Sequence, residues 1–141
     1  MASSAAILLD THVWLWAALG DMTHFRRKTI ETIDEAAQED RLYLAAISLW
    51  EVAMLESKGR IRLTLPCADW LKQAVRGTGV TVAPLEIDIA AASCTLTGFH
   101  GDPADRLIVA TAVHRNATLL TEDKNILDSA KKNGFRATRL K

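Results

Sequence analysis

Three observations predict an α/β fold, with helices on both faces of a five-stranded parallel sheet in a three-layer α/β/α arrangement. Short apolar runs alternate with longer segments of helical spacing. The runs are mostly apolar throughout, as strands covered on both faces must be. The chain is 141 residues long and 49% hydrophobic, enough to bury one core without cross-links, so residues 1–141 are read as one domain.

The elements follow in order. The run Ala5-Ala6-Ile7-Leu8-Leu9 predicts a buried strand, and residues 11–19 a helix that Gly20 ends. A second helix is expected over 26–40, with Ile30, Ile33, Ala36 and Ala37 on one face. Leu42-Tyr43-Leu44-Ala45 predicts the second strand, followed by a helix over 48–58 stopped by Gly59. Pro66 opens the next helix and sends Trp70, Leu71, Ala74 and Val75 toward the core. Val80-Thr81-Val82-Ala83 predicts the third strand, and 87–96 a helix. Residues 103–114 form a helix with Leu107, Ile108, Thr111 and Ala112 at packing spacings. Thr118-Leu119-Leu120-Thr121 is the fourth strand, 125–132 a short helix closed by Gly134, and 135–140 a fifth strand at the sheet edge.

Composition excludes several classes. The 17 Lys and Arg balance 17 Asp and Glu, so no polybasic tail underlies any nucleic-acid binding. With 24% charged residues, 7 Gly and 3 Pro, the chain is neither disordered nor of low complexity. Cys67 and Cys94 stand apart, outside any CxxC or Cys/His cluster, and read as reduced packing residues. The first apolar run is interrupted by Asp10 and preceded by no Lys or Arg, which fits neither a signal peptide nor a membrane span. A cytoplasmic protein is expected.

In parallel sheets of this kind, ligands bind beyond the carboxyl ends of the strands. Asp10 directly follows the first strand, and Asp123 follows the fourth. Glu51 and Asp105 stand near helix starts. Four carboxylates gathered in one cleft would repel and raise one another's pKa, a conflict that a hard divalent cation removes. Each acid also has a purely structural reading. Ser48-x-x-Glu51 is a capping-box pattern, Asp102-Pro103-Ala104-Asp105 an N-cap with Pro at the first helical position, and Asp123 a cap for the following helix. Asp10, between apolar residues and Thr11, is the hardest to explain as a cap alone.

Four segments resemble the acidic motifs of PIN-domain nucleases, most closely the VapC toxins of bacterial toxin–antitoxin pairs. They are Leu8-Leu9-Asp10-Thr11-His12, Ser48-Leu49-Trp50-Glu51-Val52-Ala53, the stretch from His100-x-Asp102-Pro103-x-Asp105-Arg106 through Ala112, and Leu119-Leu120-Thr121-Glu122-Asp123. They occur in the family's order and span nearly the whole chain. The resemblance implies a five-stranded parallel PIN-like sheet and an endoribonuclease dependent on Mg²⁺ or Mn²⁺. It assigns Asp10, Glu51, Asp105 and Asp123 as catalytic, metal-binding acids, with Asp10 and Asp105 the main ligands. Asp102 is an additional acid of second rank. Thr11, Ser48 and Thr121 match small hydroxyl positions that orient carboxylates or water. The family also implies a homodimer silenced by a cognate VapB-like antitoxin, often through a basic side chain inserted among the acids.

RNA contacts are expected from basic residues near the cleft: Lys58, Arg60 and Arg62, and Arg106, for which a structural partnership with a neighbouring acid is the equal alternative. Arg26-Arg27-Lys28 and Lys131, Lys132, Arg136, Arg139 form two further clusters. Recognition of single-stranded RNA would need exposed aromatic platforms. Trp14, Trp16, Trp50 and Trp70 all lie in apolar helical surroundings and are read as core or interface residues, at least one of the pair Trp14/Trp16 being partly exposed. His12 and His100 neighbour the acids, and a structural role is preferred for both. Two other classes compete. One is a haloacid-dehalogenase-like phosphatase using Asp10 as nucleophile, though such an enzyme wants an acid where His12 stands. The other is a non-catalytic α/β protein whose acids are only caps; a receiver domain lacks its acidic pair and lysine here.

Overall fold

The apolar run that opens the chain forms the centre of the sheet. A computed structural model describes residues 5–99 and 101–141. Strand β1 (Ile7–Leu9) is flanked by β2 (Leu42–Ala45) and β4 (Thr118–Leu120), with β3 (Thr81–Ala83) and β5 (Arg136–Thr138) at the two edges. All neighbours are parallel, in the order β3-β2-β1-β4-β5. Leu9 pairs in register with Leu44 on one side and Leu120 on the other.

Among the described residues, seven helices connect the strands: α1 (Thr11–Leu19), α2 (Arg27–Gln38), α3 (Ala46–Ser57), α4 (Cys67–Thr78), α5 (Ile87–Ser93), α6 (Pro103–His114) and α7 (Lys124–Asn133). A short 3-10 turn at Met22–His24, absent from the pattern-based reading, joins α1 to α2. The other elements arise close to where periodicity puts them. The fifth helix ends at Ser93, and the edge strand is trimmed to three residues.

Side chains of β1 point alternately into two cores. Ile7 and Leu9 pack with Trp14, Leu42, Leu44 and Trp70, whereas Leu8 packs with Ile108, Leu119 and Ile126 on the opposite face. Leu8 and Leu9 are both fully buried, which explains the unbroken apolar run. Each such side chain contributes about 1.5–3 kcal/mol. Trp14 meets Trp70 edge-on at 6.0 Å and donates its indole N–H to Thr78 Oγ1 at 2.9 Å. Thus α1 is clamped against α4, and the residue that starts α1 is held rigidly at the carboxyl end of β1.

After β1 the chain winds outward through β2 and β3, then returns to place β4 on the other side of β1. The connections therefore diverge between β1 and β4, where such sheets open a crevice. Among the described residues, no helix is long and apolar enough to cross a membrane.

Candidate active site

Asp10 sits at that crevice because its backbone N–H still bonds across the sheet to Leu120 O at 3.0 Å, while its side chain already caps α1. Oδ1 accepts from the Thr11 N–H at 2.8 Å, and Oδ2 from the Thr121 hydroxyl at 2.7 Å. Asp10 is 8% exposed, and burial raises its pKa even though both donors pull it down. Thr121 in turn accepts from the Asp123 N–H at 3.0 Å, tying the end of β4 to the start of α7.

The second acid arrives on α3. That helix begins at Ala46, straight off β2, with Ala45 as an N-cap that makes no side-chain bond. Ser48 and Glu51 therefore lie inside the helix, and the capping box suggested by their spacing does not form. Instead, Ser48 is fully buried and its hydroxyl shares a 2.8 Å hydrogen bond with Thr11 Oγ1, which also donates to Glu51 Oε1. The Glu51 pKa is raised, first by burial and then by the charges of Asp10 and Asp102, with the Thr11 bond opposing them.

The third segment behaves as its sequence pattern predicts. Asp102 caps α6, accepting from the Asp105 N–H at 2.8 Å, and Pro103 occupies the first helical position. This turns the Asp105 carboxyl toward the cleft. Burial, followed by the charges of Asp102, Asp10, Asp123 and Glu51, pushes its pKa up to about 7. Asp123 caps α7 through the N–H groups of Asn125 and Ile126.

These segments close around a cleft of about 350 Å³ into which six acids project: Asp10, Glu51, Asp102, Asp105, Glu122 and Asp123. Neither Lys nor Arg lines it among the described residues. Carboxylate oxygens of Glu51, Asp102 and Asp105 lie within 4.8 Å of one another. All donors are oxygens, the set that suits a hard cation such as Mg²⁺ or Mn²⁺. The capping bonds of Asp102 and Asp123 do not exclude this use, since each occupies only Oδ1. Burial is the first cause of each raised pKa in the cleft, and the charges of acids from distant parts of the chain add to it.

Residues 7–132 match the PIN domain family. The chain belongs to it. This PIN domain is 37% identical over 124 residues to Ribonuclease VapC22 of Mycobacterium tuberculosis, spanning 85% of its own length and 88% of that protein's. Its fold is similar to a chain of the VapBC2 complex of Rickettsia felis bound to a promoter DNA fragment, with a TM-score of 0.69 at 14% identity, covering 96% of this chain and 99% of that one. A chain of DNA-bound VapBC from Salmonella typhimurium superposes with a TM-score of 0.66 at 18% identity, over 97% and 99% of the two chains. PIN membership replaces the phosphatase reading.

Other side chains of the PIN domain depart from expectation. Arg106 is not a cleft residue. Its guanidinium donates to the carbonyls of Ser93 (3.1 Å), Leu96 (3.4 Å) and Phe99 (2.7 Å), and lies 5.8 Å from the centre of the Phe99 ring. It fastens the connection between α5 and α6 rather than offering its charge to RNA. Gly101 belongs to the same connection, and a Cβ there would meet the Phe99 ring at 2.3 Å. His100 lies outside the described residues. His12, assigned a structural role from sequence, is instead exposed at the cleft rim.

The tryptophans separate. Trp14 and Trp70 are buried, and Trp16 borders the cleft with its ring stacked 3.7 Å from that of His24. Trp50, read as a packing residue, is 55% exposed. Among the basic residues, Lys58 and Arg60 line an adjoining groove. Arg136 points away from it, bonding Thr118 Oγ1 and Asn116 O at the opposite end of β4. Glu122 escaped the pattern-based reading of the site. It lines the cleft while Oε2 accepts from the Leu140 N–H at 2.9 Å, so it also anchors the last residues of the chain.

Proposed function

We propose that this PIN domain is an endoribonuclease of the VapC kind, which hydrolyses RNA phosphodiester bonds with Mg²⁺ or Mn²⁺ and is neutralised by a VapB-like antitoxin. The observation that carries this reading is the six-acid cleft, which no Lys or Arg lines among the described residues. Asp10, Glu51, Asp105 and Asp123 would hold the metal, with Asp102 close enough to join Glu51 and Asp105. A bound divalent ion supplies charge neutralisation at the phosphoryl oxygens and acidifies a coordinated water.

The chain's own residues supply position. The Thr121 hydroxyl fixes one oxygen of Asp10, the Thr11 N–H fixes the other, and the Thr11 hydroxyl orients Glu51. Ser48 locks Thr11 from beneath. Such supporting bonds hold ligand geometry and are worth about 10–100-fold in affinity or rate. Asp105 takes no side-chain hydrogen bond among the described residues and so offers both oxygens to the cleft. Lys58 and Arg60, in the adjoining groove, would meet phosphates flanking the scissile one.

The antitoxin proposal rests on the resemblance to chains of VapBC complexes and on charge: an uncompensated acidic cleft attracts an inserted basic side chain. A homodimer and a cytoplasmic site of action complete the proposal. Total RNA incubated with the purified chain, with and without Mg²⁺, and sequenced at its new ends tests activity and finds the target together. Cleavage that starts with the ion and stops with chelator and with Asp10→Asn supports the reading. Cleavage that continues in excess chelator excludes it.

A further inference from the structure

Helix α3 carries Trp50 and Met54 at four-residue spacing, which places them on one face, one position away from Glu51, and its C-cap Lys58 follows. Trp50 is 55% exposed and does not stand alone, since Met54 and Pro103 line the same groove. Trp50, Met54, Pro103, Lys58 and Arg60 line a groove of about 350 Å³ that shares Thr11, Glu51 and Asp102 with the acid cleft. The groove is therefore an extension of the site. Lys58 and Arg60 enter no ion pair among the described residues, so their charges are available to an anion.

An aromatic face beside two unpaired cations, continuous with a cluster built for a metal and a phosphate, is a nucleotide-shaped combination. The apolar part receives a base, which offers a π-face whatever its identity, and the basic part receives the backbone. A base inside a duplex is already stacked on both sides and cannot be presented to Trp50 without unpairing. We infer that Trp50 is a stacking platform for a nucleobase next to the scissile phosphate, with Lys58 and Arg60 on the neighbouring phosphates. The inference rests on the ribonuclease reading and adds to it the residues that grip the RNA beside the cut.

The test uses an oligoribonucleotide that the wild-type chain cuts, supplied single-stranded and as the same sequence within a hairpin stem. Trp50→Ala raises KM for the single strand about tenfold and leaves kcat within about twofold, whereas Trp50→Phe recovers most of the loss. Cutting of the stem changes little, so the preference between the two substrates narrows. In an Asp10→Asn background, where nothing is cut, the oligonucleotide quenches tryptophan emission, and Trp50→Phe removes most of that quenching. Trp14 and Trp70 are buried and stay silent, and a Trp16→Phe background removes the signal of the other tryptophan, which borders the cleft. An unchanged KM in Trp50→Ala overturns the inference while the ribonuclease reading stands. Equal losses on both substrates, with a changed oligomeric state by light scattering, also overturn it and assign Trp50 to a protein interface. A wild-type chain inert on every RNA with either ion removes the ribonuclease reading itself, and the platform with it.

Discussion

The two walls of the cleft are built differently. On the inner wall, Asp10 is nearly buried, yet each of its oxygens has a donor, from the Thr11 N–H and the Thr121 hydroxyl. Glu51 likewise has the Thr11 hydroxyl. On the outer wall, the Asp105 carboxyl is more open and takes no side-chain hydrogen bond among the described residues; burial, and then the charges of Asp102, Asp10, Asp123 and Glu51, push its pKa up to about 7. Burial alone does not order these acids. The inner wall is a finished cradle, while the outer wall carries charge that the fold leaves uncompensated. In the proposed function, a divalent cation offsets that charge.

The largest expected effect tests both walls at once. Asp10→Asn and Asp105→Asn should each lower kcat by about a thousandfold or more, the scale set by several kcal/mol of lost charge stabilisation. Their effects on the metal-free protein should diverge. Asp105→Asn removes a repelled charge and should raise the melting temperature by several degrees. Asp10→Asn should raise it less, because an amide has one acceptor oxygen and turns its NH₂ toward one of the two donors. Thermal melts without metal check this, and a larger gain for Asp10→Asn would reverse the assignment of the walls.

The next effect is in pH. The folded Asp105 pKa of about 7 lies above its ordinary value of 3.8, so folding favours the protonated form. The associated stability is present at low pH and is lost as pH rises through about 7. Metal-free protein should therefore lose less than about 1.4 kcal/mol between pH 6 and 8, the limit for one such site before discounting for its access to water. Millimolar Mg²⁺ should restore it at pH 8 and do nothing for Asp105→Asn. Denaturant titrations at the two pH values read both. A stability that rises across this interval would mean that the acids are not in conflict.

These contrasts explain what was legible in the sequence. Strands such as Ile7–Leu9 and Thr118–Leu120 are covered on both faces, so they announce themselves as apolar runs, and the acids that follow them inherit fixed places at the sheet's end. Helix α3 is apolar around most of its circumference, so periodicity could not say which side Trp50 takes. Its start also ran two residues ahead of Ser48, since Ala45 carries the chain into the helix with no side-chain cap to mark the boundary. The partners of Arg106 are backbone carbonyls of residues 93, 96 and 99, which carry no side-chain signature. A charge beside an acid motif thus suggests RNA until the loop geometry is known.

A smaller effect separates cradle from ligand. Thr121→Val keeps the shape at the end of β4 but deletes the donor to Asp10 Oδ2 and the acceptor for the Asp123 N–H. Activity should fall about 10–100-fold, with a higher Mg²⁺ requirement and an intact fold by circular dichroism. Thr11→Val should act similarly through Glu51. Arg106→Lys should instead leave the chemistry of the bound complex near normal. A point charge cannot reach the three carbonyls that the planar guanidinium serves, so it should cost about 1–3 kcal/mol of stability.

The smallest effect concerns Asp102, which belongs to both descriptions. As the N-cap of α6 it bonds the Asp105 N–H, and as a cleft acid it lies beside Glu51 and Asp105. Asn caps as well as Asp, so Asp102→Asn should leave stability within about 0.5 kcal/mol, whereas Asp102→Ala should cost about 1 kcal/mol. If the residue mainly sets the orientation of Asp105, the Asn variant keeps activity within about tenfold, and removing its negative charge shifts the metal-free titration of Asp105 downward. If Asp102→Asn instead loses as much activity as Asp105→Asn, its carboxylate charge is needed at the metal. The outer wall would then carry two ligands, and its uncompensated charge would be the greater part of what draws the cation in.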